Sequence, residues 1–222
     1  MRIVLFGATG MVGSGVLIEC LDHPDVDSVV VVGRRTCGVQ HERLEELVVA
    51  DMFDLASIRE RLAGLDACFF CLGVSAAGMS EADYHRITYD LTLAAARALV
   101  ERNPDLVFCY VSGTGADSSE KGRVMWARVR GKIENALLEM PFKATWVFRP
   151  GYVQPVKGVR SRTTLYNVIY SVLGPLYPAL SRLAPNYVTT TEKVGRAMIN
   201  VVEHGAPKPT LENRDINRLA AL

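Results

Sequence analysis

Residues 7–13 read GATGMVG, and this stretch decides the fold. It directly follows the apolar run at 2–6 and opens a segment whose apolar residues recur at helical spacing, so it predicts a strand, a tight turn and a helix. In a dinucleotide site the first glycine permits the turn, the second lets the backbone approach a pyrophosphate, and the third lets the helix pack on the strand. The free N–H groups and the positive dipole end of the helix then face the anion. The alternative is an ordinary turn between a strand and a helix. We predict a dinucleotide-binding turn formed by Gly7, Thr9, Gly10, Met11, Val12 and Gly13.

Two arginines end the second predicted strand. Residues 28–32 form a β-branched run typical of a strand buried on both faces of a parallel sheet, and Gly33, Arg34 and Arg35 follow it. About twenty residues past the glycines, an acidic residue contacts the ribose 2′-hydroxyl of NAD, whereas an arginine accommodates the 2′-phosphate of NADP. A guanidinium can also grip phosphate bidentately and stack on adenine. We therefore predict NADP(H) as the cofactor, with a solvated basic turn as the alternative.

Composition limits the classes of partner. Lys plus Arg number 25 and Asp plus Glu number 24, a formal net charge of +1, so no molecule-wide field attracts nucleic acid, and we predict no nucleic-acid partner. The N-terminal apolar stretch is too short for a signal-peptide core and is used by the first strand, which predicts a cytoplasmic location. The four histidines are scattered without paired ligand spacing, so we predict no metal site.

The cysteines are predicted to be structural. They number five, so they cannot pair completely, and most fall in apolar runs. Cys68 and Cys71 form a C-x-x-C on a predicted strand, where residues three apart point to opposite faces. Redox-active pairs lie instead at a helix N-terminus, so we predict that these cysteines fill the core.

Strands and helices alternate along the chain. This alternation predicts an α/β fold of the Rossmann type, a doubly wound parallel sheet in a single NAD(P)-binding domain over 1–222 with a small C-terminal cap at 152–190. A polar tail is expected after the last helix. The predicted strands cover 2–6, 28–32, 46–50, 67–72, 106–111 and 144–148, and the predicted helices cover 54–63, 80–102, 123–139 and 189–203.

The stretch from Thr163 to Ser181 carries no formal charge and is broken by Gly174, Pro175 and Pro178. These breaks make it too interrupted for a transmembrane helix. It is either a helix and loop that form the wall of a substrate pocket or a patch for peripheral membrane or partner contact. Both interpretations stay open, as does a homodimer.

Taken together, these segments resemble the atypical short-chain dehydrogenase/reductase superfamily, in particular the Tat-interacting oxidoreductase-like branch, with NmrA-like and epimerase-like relatives further off. The resemblance covers most of the chain. It rests on GATGMVG at 7–13, GRR at 33–35, Asp51, CLG at 71–73, SGTGAD at 112–117, RGKIE at 130–134 and FRPG at 148–151.

The resemblance implies further cofactor contacts. Asp51 is expected at the adenine edge, with Met52 beside it among the cofactor-binding residues. The backbone of Cys71, Leu72 and Gly73 is expected to line the cofactor, and Pro150 and Gly151 to lie beside the nicotinamide.

The same resemblance implies catalysis by a serine and a Tyr-x-x-x-Lys pair. Ser112 matches the serine, but Trp126 and Arg130 stand where the tyrosine and lysine are expected. An indole N–H is a donor only and does not titrate in the accessible range, so Trp126 cannot transfer the proton. Arg130 is predicted to bond the ribose hydroxyls, with a surface arginine in a basic run as the alternative.

Two functions follow from this departure. The first is an NADP(H)-binding protein with weak or absent standard reductase activity and a cofactor-sensing or regulatory role. The second is an active NADPH-dependent oxidoreductase or epimerase that uses Ser112 and a relocated acid. Tyr152, which follows the Arg-Pro-Gly, is the best placed acid, and the small-molecule substrate has no motif. The other candidate hydroxyls are Tyr84, Tyr89, Tyr166 and Tyr170.

Overall fold

The computed structural model describes residues 1–159, 174 and 177–222. Seven parallel strands form one sheet in the order β3-β2-β1-β4-β5-β6-β9, which confirms the predicted Rossmann-like α/β fold. Two further short strands, β7 and β8, pair in parallel apart from this sheet. The strands are β1 Arg2–Phe6, β2 Ser28–Gly33, β3 Leu44–Val48, β4 Ala67–Phe70, β5 Val107–Val111, β6 Ala144–Arg149, β7 Tyr152–Gln154, β8 Val188–Thr190 and β9 Thr210–Glu212.

The register aligns the carboxyl ends of the central strands. Phe6 pairs with both Val32 and Phe70, and Phe70 in turn pairs with Tyr110. The loops after β1, β2 and β4 therefore open at one edge of the sheet, which is the edge where ligands bind in open parallel sheets.

Helices cover both faces of the sheet. Along β1, Ile3 and Leu5 belong to the core beneath α1, α6 and α7, while Val4 and Phe6 belong to the core beneath α3 and α4. A strand buried on both faces needs a continuous apolar run, which β1, β2 and β4 all supply. The helices are α1 Met11–Asp22, α2 Glu81–His85, α3 Leu91–Val100, α4 Met125–Leu138, α5 Tyr177–Leu183, α6 Thr191–His204 and α7 Asn213–Leu219.

The helix predicted at 80–102 begins where expected but is not continuous. The Ser80 hydroxyl accepts a hydrogen bond from the backbone N–H of Asp83, as an N-cap does. A π-helical turn at Arg86–Asp90 then separates α2 from α3. Such a turn inserts one residue into the helical repeat, and no sequence pattern signals it.

Three local predictions need correction. The third strand lies at Leu44–Val48 rather than 46–50, and the helix predicted at 54–63 is a 3-10 helix at Ala56–Leu62. The residues expected to form a polar tail instead build β9 and α7. Leu211 and Ile216 bury their side chains there, but single apolar residues in such short elements leave little pattern to detect.

The proposed cap at 152–190 is described in part. Its β7, α5 and β8 are defined, whereas most of the uncharged stretch at 163–181 lies outside the described residues. Over the part of the chain that is described, no helix combines the length and apolar character needed to cross a membrane.

Candidate cofactor-binding site

The glycine turn after β1 is tightly packed. Gly7 has a φ of 87°, and a Cβ there would lie 2.7 Å from the carbonyl carbon of Cys71. A Cβ on Gly13 would lie 2.1 Å from the carbonyl oxygen of Gly7. The backbone N–H of Gly10 donates to that same oxygen at 2.8 Å, and no side chain caps the N-terminus of α1. The turn therefore leaves the first N–H groups of the helix available to an anion.

A cleft of about 770 Å³ opens at the carboxyl ends of the strands, and we call it the main cleft. Apolar and backbone groups form most of its described wall, with Tyr84, Ser112, Trp126 and Arg130 among the side chains that line it. It brings together these sequence-predicted residues: Gly10, Met11, Val12, Cys71, Leu72, Gly73, Ser112, Arg130, Pro150 and Gly151.

A second cavity of about 370 Å³, the arginine pocket, shares Leu72 and Gly73 with the main cleft. Arg34, Asp51 and Met52, three of the residues predicted to bind the cofactor, line it. A smaller cavity of about 80 Å³ joins Gly7, Thr9 and Met52 to Arg34 and Arg35.

The arginine pocket also contains a pair that sequence reasoning missed. The guanidinium of Arg86 lies over the ring of Phe53, 5.8 Å from its centroid. Both side chains line the pocket, and Phe53 follows Asp51 by only two residues. Nothing in the local pattern indicates that Arg86, on the π-helical turn, reaches this aromatic ring.

Arg130 points into the main cleft and is not a surface arginine. Its Nε donates to the hydroxyl oxygen of Tyr84 at 3.2 Å, and its Nη1 donates to the carbonyl oxygen of Val111 at 3.3 Å. Burial lowers the pKa of Arg130, but Tyr110, Tyr84 and Glu134 outweigh burial and raise the pKa above its ordinary value. The guanidinium is therefore a permanent positive charge beside the cleft.

Ser112 lies at the end of β5 in a buried polar network. Its hydroxyl donates to Oε1 of Glu134, and Arg149 donates to both carboxylate oxygens of the same glutamate. Arg149 also contacts Ser118 and Glu212, and its hydrogen bond to Glu134 raises its pKa. Glu134 lies one turn after Arg130 on α4, a spacing that could have indicated its position.

The remaining candidate acids lie in different surroundings. Val153 rather than Tyr152 lines the main cleft, and the Tyr152 hydroxyl donates to Oε1 of Gln154 at 2.7 Å. Burial raises the pKa of Tyr152, with Tyr177 adding to the effect. Tyr84 by contrast is buried and lines the cleft beside Arg130, so the structure brings Tyr84 into the site and does not bring in Tyr152.

Trp126 occupies the wall of the main cleft at the start of α4. Its Cη2 lies 3.4 Å from the position of a Cβ on Gly115, so the indole packs closely against the loop that follows β5. The indole therefore forms an apolar surface next to Arg130, on the same helix.

All five cysteines are free. Cys68 is fully buried, as expected of a core residue, and burial raises its pKa well above the usual value. Cys71 is only partly exposed and lines the main cleft, where burial also raises its pKa.

One group of potential metal ligands was not anticipated. Single ligand atoms of His23, Asp25 and Glu203 lie within 4.8 Å of one another at the surface. Both carboxylates are exposed, and exposed acidic groups commonly lie this close without an ion, so this group assigns no metal site.

The fold and the glycine turn together define a dinucleotide-binding Rossmann protein. A family model described as the NAD dependent epimerase/dehydratase family matches residues 3–125. The chain belongs to this NAD(P)-binding family, which confirms the resemblance to short-chain dehydrogenases/reductases and epimerases.

Individual relatives agree with this membership. The chain is 27% identical over 207 residues to "Protein fmp52, mitochondrial" of Emericella nidulans, covering 90% of this chain and 86% of that protein. It is 33% identical over 157 residues to "Protein fmp52-1, mitochondrial" of Aspergillus terreus, covering 68% and 66%. Among solved structures, Bordetella bronchiseptica WbmF in complex with NAD+ matches with a TM-score of 0.64 at 15% identity, covering 98% of this chain and 76% of that chain. That similarity concerns the fold alone.

The predicted cytoplasmic location is wrong by this comparison, because the fmp52 relatives are named as mitochondrial proteins. The sequence argument tested the first apolar stretch only against a secretory signal peptide. Because that stretch forms β1, it carries no information about which compartment holds the folded protein.

Proposed function

We propose that this protein binds NADP(H) across the arginine pocket and the main cleft and performs tyrosine-type carbonyl reduction only weakly, so that the bound cofactor serves a sensing or regulatory role. The observation that carries this proposal is Trp126, which lines the cleft beside Arg130. An indole cannot exchange a proton near neutral pH, so the cleft has a cofactor scaffold without the usual acid.

Cofactor binding is supported by the glycine turn after β1, where side chains would fill the space that a pyrophosphate needs. A Cβ at Gly7 or Gly13 would collide with backbone atoms, and α1 begins without a side-chain cap. These features suit a pyrophosphate at the helix N-terminus.

The preference for NADP(H) is supported by the free charge of Arg34 and Arg35. Both are exposed, and among the described residues no carboxylate oxygen lies within 4.0 Å of either guanidinium. These two arginines would hold the 2′-phosphate, while Asp51 and Met52 would line the adenosine part of the site. When bound, NADPH supplies a hydride.

The described cleft offers a poor proton donor for carbonyl reduction. Ser112 already donates its hydroxyl proton to Glu134, so its oxygen is left as an acceptor toward the cleft. Donating to a substrate oxygen would break that bond and leave a buried carboxylate oxygen less satisfied. Ser112 therefore positions a ligand hydroxyl better than it protonates a carbonyl.

A second candidate function is an active oxidoreductase or epimerase with a relocated acid. The observation that favours it is the Tyr84 hydroxyl, which lines the main cleft and accepts a hydrogen bond from Arg130. That hydrogen bond holds the Tyr84 oxygen beside the cleft, where its O–H can donate to a substrate oxygen. In this candidate Tyr84 takes the role of relocated acid that we predicted for Tyr152.

A thermal-shift panel of NADPH, NADP, NADH and NAD tests cofactor choice. At about 100 times its dissociation constant, a ligand adds ~2.7 kcal/mol of stability. With about 2–4 °C per kcal/mol for a protein of this size, NADPH is expected to raise the melting temperature by roughly 5–10 °C. Equal shifts with NADH and NADPH would contradict the proposed preference.

Turnover separates the two candidate functions. Because a positioned acid typically supplies ~10²–10⁴-fold, the unmodified protein is expected to oxidise NADPH with quinones or aldehydes well below about 1 s⁻¹. Trp126→Tyr combined with Arg130→Lys is expected to raise that rate. Turnover at about 1 s⁻¹ or faster that Tyr84→Phe abolishes would overturn the weak-reductase proposal and establish the relocated acid.

A further inference from the structure

We infer that Arg130 forms an anion site in the main cleft that binds the carboxylate of a small ligand with an apolar body. The inference deepens the proposed function, on which it rests for the presence of NADP(H) in the same cleft, because it names the class of ligand beside the cofactor. Of the described residues that line the main cleft, Arg130 alone carries a formal charge.

The contacts of Arg130 leave this charge uncompensated. Its two hydrogen-bond acceptors, the Tyr84 hydroxyl and the Val111 carbonyl, are both neutral. No carboxylate oxygen within the described ranges lies within 4.0 Å of the guanidinium. Residues 160–173, 175 and 176 contain no Asp or Glu, so that part of the chain supplies no carboxylate side chain either.

Glu134 is the nearest candidate for an internal counter-charge, since it lies one helical turn further along α4. Its carboxylate, however, accepts hydrogen bonds from Ser112 and, on both oxygens, from Arg149. Arg149, which also pairs with Glu212, holds the Glu134 carboxylate, and Glu134 acts on Arg130 only at a distance. The N–H groups of Arg130 therefore remain available to an external anion. A partly buried cation without a counter-charge is costly, and a bound anion removes that cost.

The chemistry around the guanidinium selects the kind of anion. Its Nη2 lies 3.4 Å from the position of a Cβ on Gly73, at van der Waals contact with the loop that follows β4. Nη2 donates to no acceptor in the described part of the chain, and a guanidinium binds a carboxylate through paired N–H groups. Because no second cation lines the described cleft, a singly charged carboxylate fits better than a phosphate dianion. Trp126 and Leu72 offer apolar walls to the rest of the ligand.

The probe is 3-phenylpropionate, with 3-phenylpropanamide as its neutral counterpart, titrated calorimetrically into the protein saturated with NADPH. The carboxylate is expected to bind and the amide to bind about ten- to a hundred-fold more weakly, as for the loss of one charge-assisted contact. Arg130→Gln is expected to remove this difference. Arg130→Lys keeps the charge but loses the planar fork, so it is expected to lose most of the carboxylate preference, and the NADPH affinity of each variant is measured first so that every titration is run at saturation.

Arg128→Gln is the matched control, because Arg128 lies on the same helix, pairs with Glu81 and does not line the main cleft. It is expected to leave the carboxylate preference unchanged. Unliganded melting curves show whether each variant is folded. The inference is overturned if acid and amide bind alike, if neither binds, if Arg130→Gln keeps the preference, or if the acid binds only when NADPH is absent. Carboxylate binding through Arg130 in a protein that does not bind NADPH would refute the proposed function and leave the anion site standing.

Discussion

At the scale of single residues, the site is defined by which charges are already paired. Arg149 and Glu134 satisfy each other in the interior, so they organise Ser112 and hold the end of β6. Arg34, Arg35 and Arg130 have no carboxylate within 4.0 Å in the part of the chain that is described. Unpaired guanidinium groups at the rim and in the cleft are the groups available to bind anionic parts of ligands.

Arg34→Ala is expected to weaken NADPH binding by about ten- to a hundred-fold and to leave NADH binding nearly unchanged. The reason is the loss of a charge-assisted contact to a 2′-phosphate that NADH does not have. Fluorescence titration of both reduced cofactors measures the two affinities. Arg123→Ala, a change at an exposed arginine outside the arginine pocket, serves as the control. An equal loss for NADPH and NADH would mean that Arg34 contacts something other than the 2′-phosphate.

The sequence predicts a definite role for some of these residues and leaves two interpretations open for others. The placement of Arg34 followed from its distance to the glycines, because strand and turn lengths in such a unit are nearly fixed. Arg130 stayed ambiguous, since a run that also contains Arg123, Arg128 and Lys132 looks like a solvated face. Only the three-dimensional contacts with Tyr84 and Val111 distinguish it from its neighbours.

At the scale of elements, the turn between β1 and α1 contains one glycine needed for cofactor binding and another needed for packing of the fold. A Cβ on Gly10 would lie 3.3 Å from the carbonyl oxygen of Gly7, a tight but tolerable contact. A Cβ on Gly13 would lie 2.1 Å from that oxygen, a distance that forces the helix away from the strand. The two glycines therefore have different physical roles within one motif.

Gly10→Val and Gly13→Ala are expected to give different melting behaviour. Gly10→Val should keep the unliganded melting temperature close to that of the unmodified protein and abolish the NADPH-induced rise, because the branched side chain blocks approach of the pyrophosphate. Gly13→Ala should lower the unliganded stability itself by about 1–3 kcal/mol, or more, through overpacking. Thermal melts with and without NADPH measure both quantities. A Gly10→Val protein that keeps the full NADPH response would show that this turn does not hold the cofactor.

The elements differ in how far the sequence predicts them. β2 and β5 were predicted to within a residue, because continuous β-branched and aromatic runs leave little doubt about a buried strand. The mixed composition of β3, in which Glu45 and Glu46 lie between leucines, shifted that prediction by two residues. The π-helical turn at Arg86–Asp90 was missed because its residues carry no sequence pattern that distinguishes it from a continuous α-helix.

At the scale of the whole molecule, the part of the main cleft formed by Pro150, Gly151 and Val153, which we call the far wall, is held in place by distant parts of the chain. The Asn213 side chain, at the start of α7, accepts from the backbone N–H of Gly151 at 3.0 Å. Its amide also donates to the carbonyl oxygens of Pro185 and Val188. This one buried amide therefore fixes the loop after β6, the start of β8 and α7 relative to one another.

Asn213→Ala is expected to destabilise the fold by about 1–3 kcal/mol, because it removes the acceptor of the Gly151 N–H and one of the two donors to the carbonyl oxygens of Pro185 and Val188. Since Gly151 lines the main cleft, the NADPH-induced rise in melting temperature should also shrink. Asn217→Ala is the control, because Asn217 donates to the same two carbonyl oxygens and not to Gly151. Thermal melts with and without NADPH compare the two variants, and an identical response in both would contradict a specific role for the Gly151 contact.

The hydrogen bond between Gly151 and Asn213 also allows hydrogen exchange at the Gly151 amide to report how often this contact opens. Its amide proton is held by an acceptor 62 residues away along the chain, so it exchanges with solvent deuterium only when α7 separates from the loop. The exchange rate of this amide proton therefore measures how readily α7 separates from the far wall. A ligand that stabilises the closed far wall would slow deuterium uptake at the Gly151 amide, so binding could be detected at a residue that has no side chain.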